Sequence, residues 1–199
     1  MSVVFEFNIL TKKEIGQICQ LLVSGGVGVL PTDTIYGLHG SAKFPETIER
    51  IYRLKNREGD KPMIILISSL LDLDQFGIFL DEKNKAILGK VWPNPVSVVL
   101  SCPNPQFKYL HRGKESLAFR IPKDEFLQNI LCQSGPLVST SVNLAGGKSA
   151  ESIDEAAEYF GDRIDLYVNK GELSNGSSTV IALKNGEIQV LRQGSFKLS

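Results

Sequence analysis

The chain has 199 residues, 42% of them hydrophobic, with 22 Lys and Arg balanced by 22 Asp and Glu. This length suits one sizeable core, since domains run to about 100–200 residues, and zero net charge excludes a globally basic binder of nucleic acid or membrane. The scattered Cys19, Cys102 and Cys132 exclude a disulfide framework or zinc ribbon and read as small buried apolar residues, and no apolar run approaches the roughly 18 residues of a membrane span.

Thr11 and Glu14 form a capping box ahead of Ile15, Ile18, Leu21 and Leu22, which predicts a helix over residues 11–24 ended by Gly25-Gly26. Val27 to Pro31 reads as a buried strand, and Pro31 to Gly40 as the loop after it. Pro45 can start a helix carrying Ile48, Ile51 and Leu54, followed by the basic stretch Lys55 to Pro62. Strands are expected over residues 63–67, 96–100, 117–121 and 137–140, alternating with helices over 81–91 and 124–133, which predicts a layered α/β domain. Ser152 and Glu155 read as a second capping box, before a helix that Gly161 ends. Strands over 166–168, 180–183 and 188–191 follow, and Asn185-Gly186 predicts that the last two pair antiparallel, making the sheet mixed. No repeat or linker interrupts the chain, so residues 1–199 are expected to form a single domain.

Familiar nucleotide signatures are missing. Val142 stands where a P-loop ending in Gly147-Lys148-Ser149 needs its first glycine, and Pro31 stands where a dinucleotide fingerprint starting at Gly26 needs its third. Three loops nevertheless place hydroxyls or cations directly after an apolar element. Thr32-Asp33-Thr34 can hold a small polar ligand or simply form a Thr/Asp turn. Lys55, Arg57 and Lys61 suit a phosphate clamp, and equally suit the negative end of a helix dipole. Ser139, Thr140, Ser141, Asn143 and Ser149 crowd a glycine pair in a way that can cradle phosphate or form a plain turn.

Taken in order, "GGVGVLPTDTIYGL", "RLKNREGDKPMIILI", "VWPNPVSVVL", "LAFRIP", "PLVSTSVNLAGGKSA", "SSTVI" and "VLRQG" resemble the YrdC-like family of threonylcarbamoyl-AMP synthases in its short, single-domain form, over residues 25–194. The resemblance implies a three-layer α/β fold on a twisted mixed sheet. It implies a nucleotidyltransferase that condenses L-threonine, bicarbonate and ATP, with Mg²⁺ accompanying the ATP, to threonylcarbamoyl-AMP and pyrophosphate. That product serves threonylcarbamoyladenosine formation beside the anticodon of ANN-decoding tRNAs, through separate transfer proteins, with at most weak tRNA contact by the synthase itself. A cytoplasmic protein without membrane association is expected.

By the same resemblance, Lys55 and Arg57 carry the catalytic role and contact ATP, together with Ser116, Ser141, Asn143, Ser149 and Arg192. Thr32, Thr34, Lys61, Arg120, Ser139 and Ser178 fall to threonine, and no residue is assigned to a metal. Departures from the family pattern are Val142 for alanine, Asn94 for glycine, Ser97 for threonine and His39 where glycine is frequent, and Val142 is expected to crowd the nucleotide loop. The second domain of longer members is not expected, because the sequence runs only seven residues beyond Arg192. Two other readings stand beside this one. The first is an RNA-binding module using Lys55, Arg57, Lys61, Arg120 and Arg192, and the second is a carbamoyl-adenylate-forming relative with a different substrate.

Overall fold

The structure, a computed structural model, describes residues 1–59, 61–184 and 186–197. Its strands are β1 (Val3–Glu6), β2 (Val27–Leu30), β3 (Gly37–Ser41), β4 (Ile64–Leu66), β5 (Val96–Ser101), β6 (Ser116–Arg120), β7 (Leu137–Ser141), β8 (Leu166–Asn169), β9 (Thr179–Lys184) and β10 (Glu187–Arg192). Its helices are α1 (Lys12–Val23), α2 (Pro45–Lys55), α3 (Glu82–Val91), α4 (Lys108–His111), α5 (Glu125–Ser134) and α6 (Ile153–Phe160). All ten strands join one mixed sheet in the order β1-β8-β2-β3-β7-β4-β6-β5-β9-β10.

Local chemistry accounts for most boundaries. At the start of α1, Thr11 accepts from the Glu14 amide while Glu14 accepts from the Thr11 amide, closing the expected box. Pro45 opens α2 at a position where its missing N–H costs nothing, and Asn56 in the left-handed region closes it. The box at α6 is only half formed, because Ser152 accepts from the Glu155 amide but the Glu155 carboxylate takes the Glu151 amide instead. The loop expected to reach Gly40 stops earlier, since Gly37–Ser41 pairs with both β2 and β7. That strand is hard to see in sequence because two of its five residues are glycine. Asn185 lies outside the described residues, but β9 and β10 on either side of it pair antiparallel.

Two hydrophobic clusters sandwich the sheet. One gathers Ile18 and Leu22 of α1 and Leu127, Ile130 and Leu131 of α5 over Leu30, Leu66, Leu137 and Leu166. The other, larger cluster lies on the opposite face, beneath α2, α3 and α6. Helices, sheet and helices therefore make three layers, driven by alternate strand residues burying apolar area at about 25 cal/mol per Å². Cys19 and Cys102 are buried as expected, whereas Cys132 is exposed. Among the described residues no helix is long and apolar enough to cross a membrane.

Asp165, just ahead of β8, ties this frame to α2. Its carboxylate accepts from Arg50 Nη1 at 2.5 Å, from Arg50 Nη2 at 3.3 Å and from the Val27 amide at 2.7 Å. The three donors fix α2 against the strands beside it. Asp165→Ala should lower unfolding free energy by about 1–3 kcal/mol in urea titration, because charged hydrogen bonds are lost and the Val27 amide is left without its acceptor.

Candidate functional site

The α1 and α5 helices cover only part of their face of the sheet, and the strands change character where the cover ends. Leu137 and Leu66 face each other across β7 and β4 under the helices, and two residues on the facing pair is Ser139 with Ile64. The same face continues through Ser141, Ala118 and Arg120. Small and polar side chains thus replace leucine, and they leave a cavity of about 440 Å³. Its wall includes Arg57, Arg120 and Arg192 and many hydroxyls, and among the described residues no carboxylate.

Of the residues singled out by sequence, Thr32, Thr34, Arg57, Arg120, Ser139, Ser141, Ser149, Ser178 and Arg192 line this one cavity. Four do not. Lys55 is 2% exposed, and its ammonium donates to the carbonyls of Ser141 at 2.5 Å and Asn143 at 2.9 Å and to Asn143 Oδ1 at 2.6 Å. It therefore clamps the end of β7 and the turn beyond it. Asn143 is the other half of that clamp, its Oδ1 also accepting from Ser141 Oγ at 2.8 Å and its amide donating to Gly147 at 2.6 Å. Lys61 pairs with Glu58 at 2.6 Å on the surface. Ser116 sits at the far end of β6 from Arg120, bonded to the Lys114 carbonyl.

Arg57 extends from the turn after α2 into the cavity wall, held by the carbonyls of Lys61 and Pro62 at 3.1 and 3.2 Å. Arg120 is anchored differently. One arm of its guanidinium pairs with Asp33, the other donates to Thr34 Oγ1 at 3.3 Å, and its buried Nε has no partner among the described residues. Asp33 also accepts from the Lys123 amide, so the loop between β2 and β3 is stitched to the end of β6. Thr32 and Thr34, both buried, share a hydroxyl–hydroxyl bond of 2.8 Å. Arg192 donates to the Ser178 carbonyl at 2.8 Å, and Ser178 meets Ser97 at 3.1 Å.

Burial pulls Lys55 down to about 8, with the charge of Arg57 adding to the effect. Burial also lowers Arg120, against the opposing pull of Asp33. His39, fully buried on β3, is held at about 3 by loss of solvent, the Val138 carbonyl opposing and the Arg120 charge adding. Val142, expected to crowd a nucleotide, is instead fully buried in the larger hydrophobic cluster. Asp33, expected in a polar-ligand loop or a Thr/Asp turn, pairs with Arg120, and Thr140 of the crowded hydroxyls lines the wall together with Tyr36 and Ser177. Among the described residues no three His, Cys, Asp or Glu side chains gather as a metal site.

Residues 20–194 match a family model for Sua5, YciO and YrdC proteins, described as telomere recombination. The chain is 30% identical over 186 residues to threonylcarbamoyl-AMP synthase of Bacillus subtilis, covering 92% of this chain and 54% of the relative. It is 36% identical over 155 residues to threonylcarbamoyl-AMP synthase of Marinobacter nauticus, covering 75% of this chain and 80% of the relative. A solved structure of Pyrococcus abyssi Sua5 complexed with L-threonine superimposes with a TM-score of 0.85 at 26% identity, over 98% of this chain and 57% of that one. The chain spans about half the length of the Bacillus relative.

Two measurements test this division of labour. Lys55→Met should cost about 2–4 kcal/mol of stability, because three oxygens lose a buried charged donor, whereas Arg57→Ala should cost about 1 kcal/mol or less. Denaturant titration of the two variants compares them directly. For His39, the unfolded chain takes up a proton between pH 6.5 and about 3 that the folded chain refuses, so stability falls as pH falls through that window. The slope from this one group is about 1.4 kcal/mol per pH unit, and His39→Gln should remove it from urea titrations at stepped pH.

Proposed function

The chain belongs to the Sua5/YciO/YrdC family, and on that premise we propose that it is an L-threonylcarbamoyladenylate synthase, a cytoplasmic nucleotidyltransferase whose one domain spans residues 1–199. The observation that carries the proposal is the cavity wall, where Arg57, Arg120 and Arg192 and a set of hydroxyls stand together, without a carboxylate among the described residues. Such a lining favours polyanionic and polyhydroxylated ligands. It accords with the names of the relatives and with the L-threonine complex of the Pyrococcus protein.

In the proposed reaction, the threonine amine attacks bicarbonate, a C–N bond forms, and water leaves to give the carbamate. A carbamate oxygen then attacks the α-phosphorus of ATP, an O–P bond forms, and the bond to pyrophosphate breaks. Two anions must meet in the second step. Arg57 and Arg192 offset that repulsion and stabilise the departing pyrophosphate. Thr32, Thr34, Ser139 and Ser178 position threonine, with Arg120 beside them, while Ser141 and Ser149 face the nucleotide. Lys55 and Asn143 act by holding the segment that carries Ser141. Holding three reactants in one enclosed site contributes about 7–11 kcal/mol in well-aligned cases.

Mg²⁺ arrives in this reading as part of the ATP substrate. Among the described residues the wall offers it no carboxylate, and none of them is assigned to it. The product passes to separate transfer proteins that modify tRNA, with only weak tRNA contact here. An RNA-binding surface is less well served, because Lys55 and Arg120 are 2% and 5% exposed.

Purified protein incubated with ATP, Mg²⁺, bicarbonate and L-threonine should yield a threonylcarbamoyl-AMP mass that disappears when any one component is omitted. Arg57→Ala should lower its rate of formation about tenfold to a thousandfold. A folded, ATP-binding sample that gives neither adduct nor pyrophosphate overturns the assignment.

A further inference from the structure

β8 and β9 run parallel, yet they stand second and ninth in the sheet order, and residues 170–178 alone join them. A connection between parallel strands has to cross the sheet, and about a dozen residues or more is usual. This one is therefore a strap with little slack. Its first half is fastened beside the cavity. Tyr36, fully buried, belongs to the wall, and its hydroxyl donates to the Gly171 carbonyl at 2.7 Å and accepts from the Lys170 amide at 2.8 Å. The Leu173 amide then donates to the carbonyl of Glu151 at 2.8 Å, close in sequence to Ser149 of the wall. At the other end Ser177 and Ser178 line the cavity themselves, and the Ser177 carbonyl accepts from the Ser195 amide at 2.9 Å.

Between these fastenings Ser174, Asn175 and Gly176 are exposed, take part in no hydrogen bond among the described residues, and stand outside the wall. Gly171 and Gly176, at φ of 81° and 76°, bracket the stretch in a backbone region that favours glycine. A span tied to two sides of a cavity and free in its middle can fold over the cavity while the sheet stays as it is. The chemistry proposed above needs such a cover, because water destroys its product. A water oxygen bonds to the carbonyl carbon of threonylcarbamoyl-AMP, AMP leaves with the C–O electron pair, and the carbamate takes up the released proton and reverts to threonine and CO₂. We propose that residues 171–177 form a strap that closes over bound substrates, and that Tyr36 is the positioning residue that holds its root at the cavity wall. The inference rests on the synthase reading above and adds the means by which the site excludes water. The Lys170 ammonium, bonded to Asp124 at 3.1 Å, keeps the end of β8 in place independently of the phenol, so loss of the Tyr36 hydroxyl loosens the strap alone.

The test uses the full chain. With L-threonine and the α,β-methylene analogue of ATP as probes, amide exchange read by mass spectrometry should slow about threefold or more over residues 172–176 when both are bound. In Tyr36→Phe, which keeps the ring, exchange of that stretch should be faster and the rest of the chain unchanged. Early in turnover, the pyrophosphate formed per threonylcarbamoyl-AMP should rise about threefold to tenfold in Tyr36→Phe, the factor that one or two lost hydrogen bonds supply. This ratio does not depend on how much of a sample is folded, so a merely structural loss leaves it where it was. Gly176→Val should raise it too, because a branched side chain is strained at that φ although its Cβ meets only Ser195, at 3.8 Å. No protection of residues 172–176 by the probes, an unchanged ratio in either variant, or faster exchange spread through the whole chain of Tyr36→Phe overturns the assignment while leaving the synthase reading intact. Absence of the adduct from the wild type overturns that reading and this inference together. Should Tyr36→Phe not fold, Gly176→Val and the wild-type exchange decide.

Discussion

A single buried ammonium holds the site in shape. Lys55 ends α2, and its three hydrogen bonds reach the last residue of β7 and the turn after it, while its own carbonyl accepts from the Ala145 amide at 2.8 Å. An unpaired charge at that depth would be strongly unfavourable, so the helix and the turn stay together or both lose their partner. Everything placed relative to that knot inherits its precision. Arg57 lies two residues beyond it on one side, and Ser139 and Ser141 lie on the strand it seizes on the other.

The rest of the cavity follows from a change of side chain along strands that remain regular. Where α1 and α5 cover the sheet, its residues are leucines, and where the helices stop, the same face carries serine, alanine and arginine. Loops complete the hollow with Thr32, Thr34, Arg57, Ser149 and Ser178. The hydrogen-bonded ladder fixes the backbone and the side chains decide what the hollow attracts, so functional groups sit on a rigid frame. Arg120 illustrates the point, since its guanidinium is fastened to Asp33 and Thr34 before any ligand arrives. Ordering costs on binding are correspondingly small.

Much of this was legible in the chain. Capping at Thr11, proline at the head of α2, apolar runs with β spacing and the terminal hairpin were all read from local rules, because local chemistry determines them. β3 was missed because glycines at 37 and 40 carry no propensity signal and the strand exists only through its pairing on both sides. The hydroxyls and cations of the cavity came out of the motifs, but their division of labour did not. Lys55 and Arg57 look alike in a string of letters, and only the position of β7 makes one a buried clamp and the other a cavity wall. Val142 likewise looks like a nucleotide contact from its neighbours in sequence, and its side chain turns to the hydrophobic cluster instead.

β10 bears on how the cavity breathes. It is the outermost strand, paired only to β9, and all six of its residues are exposed. Yet it carries Arg192, one of the three cations of the wall. Marginal elements with little buried apolar surface open far more often than the global unfolding free energy allows. The two walls of the site therefore differ in protection against amide exchange. The side built on β7 and β4 lies in the middle of the sheet, where exchange should require opening of the whole fold, while the side that carries Arg192 lies on an exposed edge strand, where exchange should be faster.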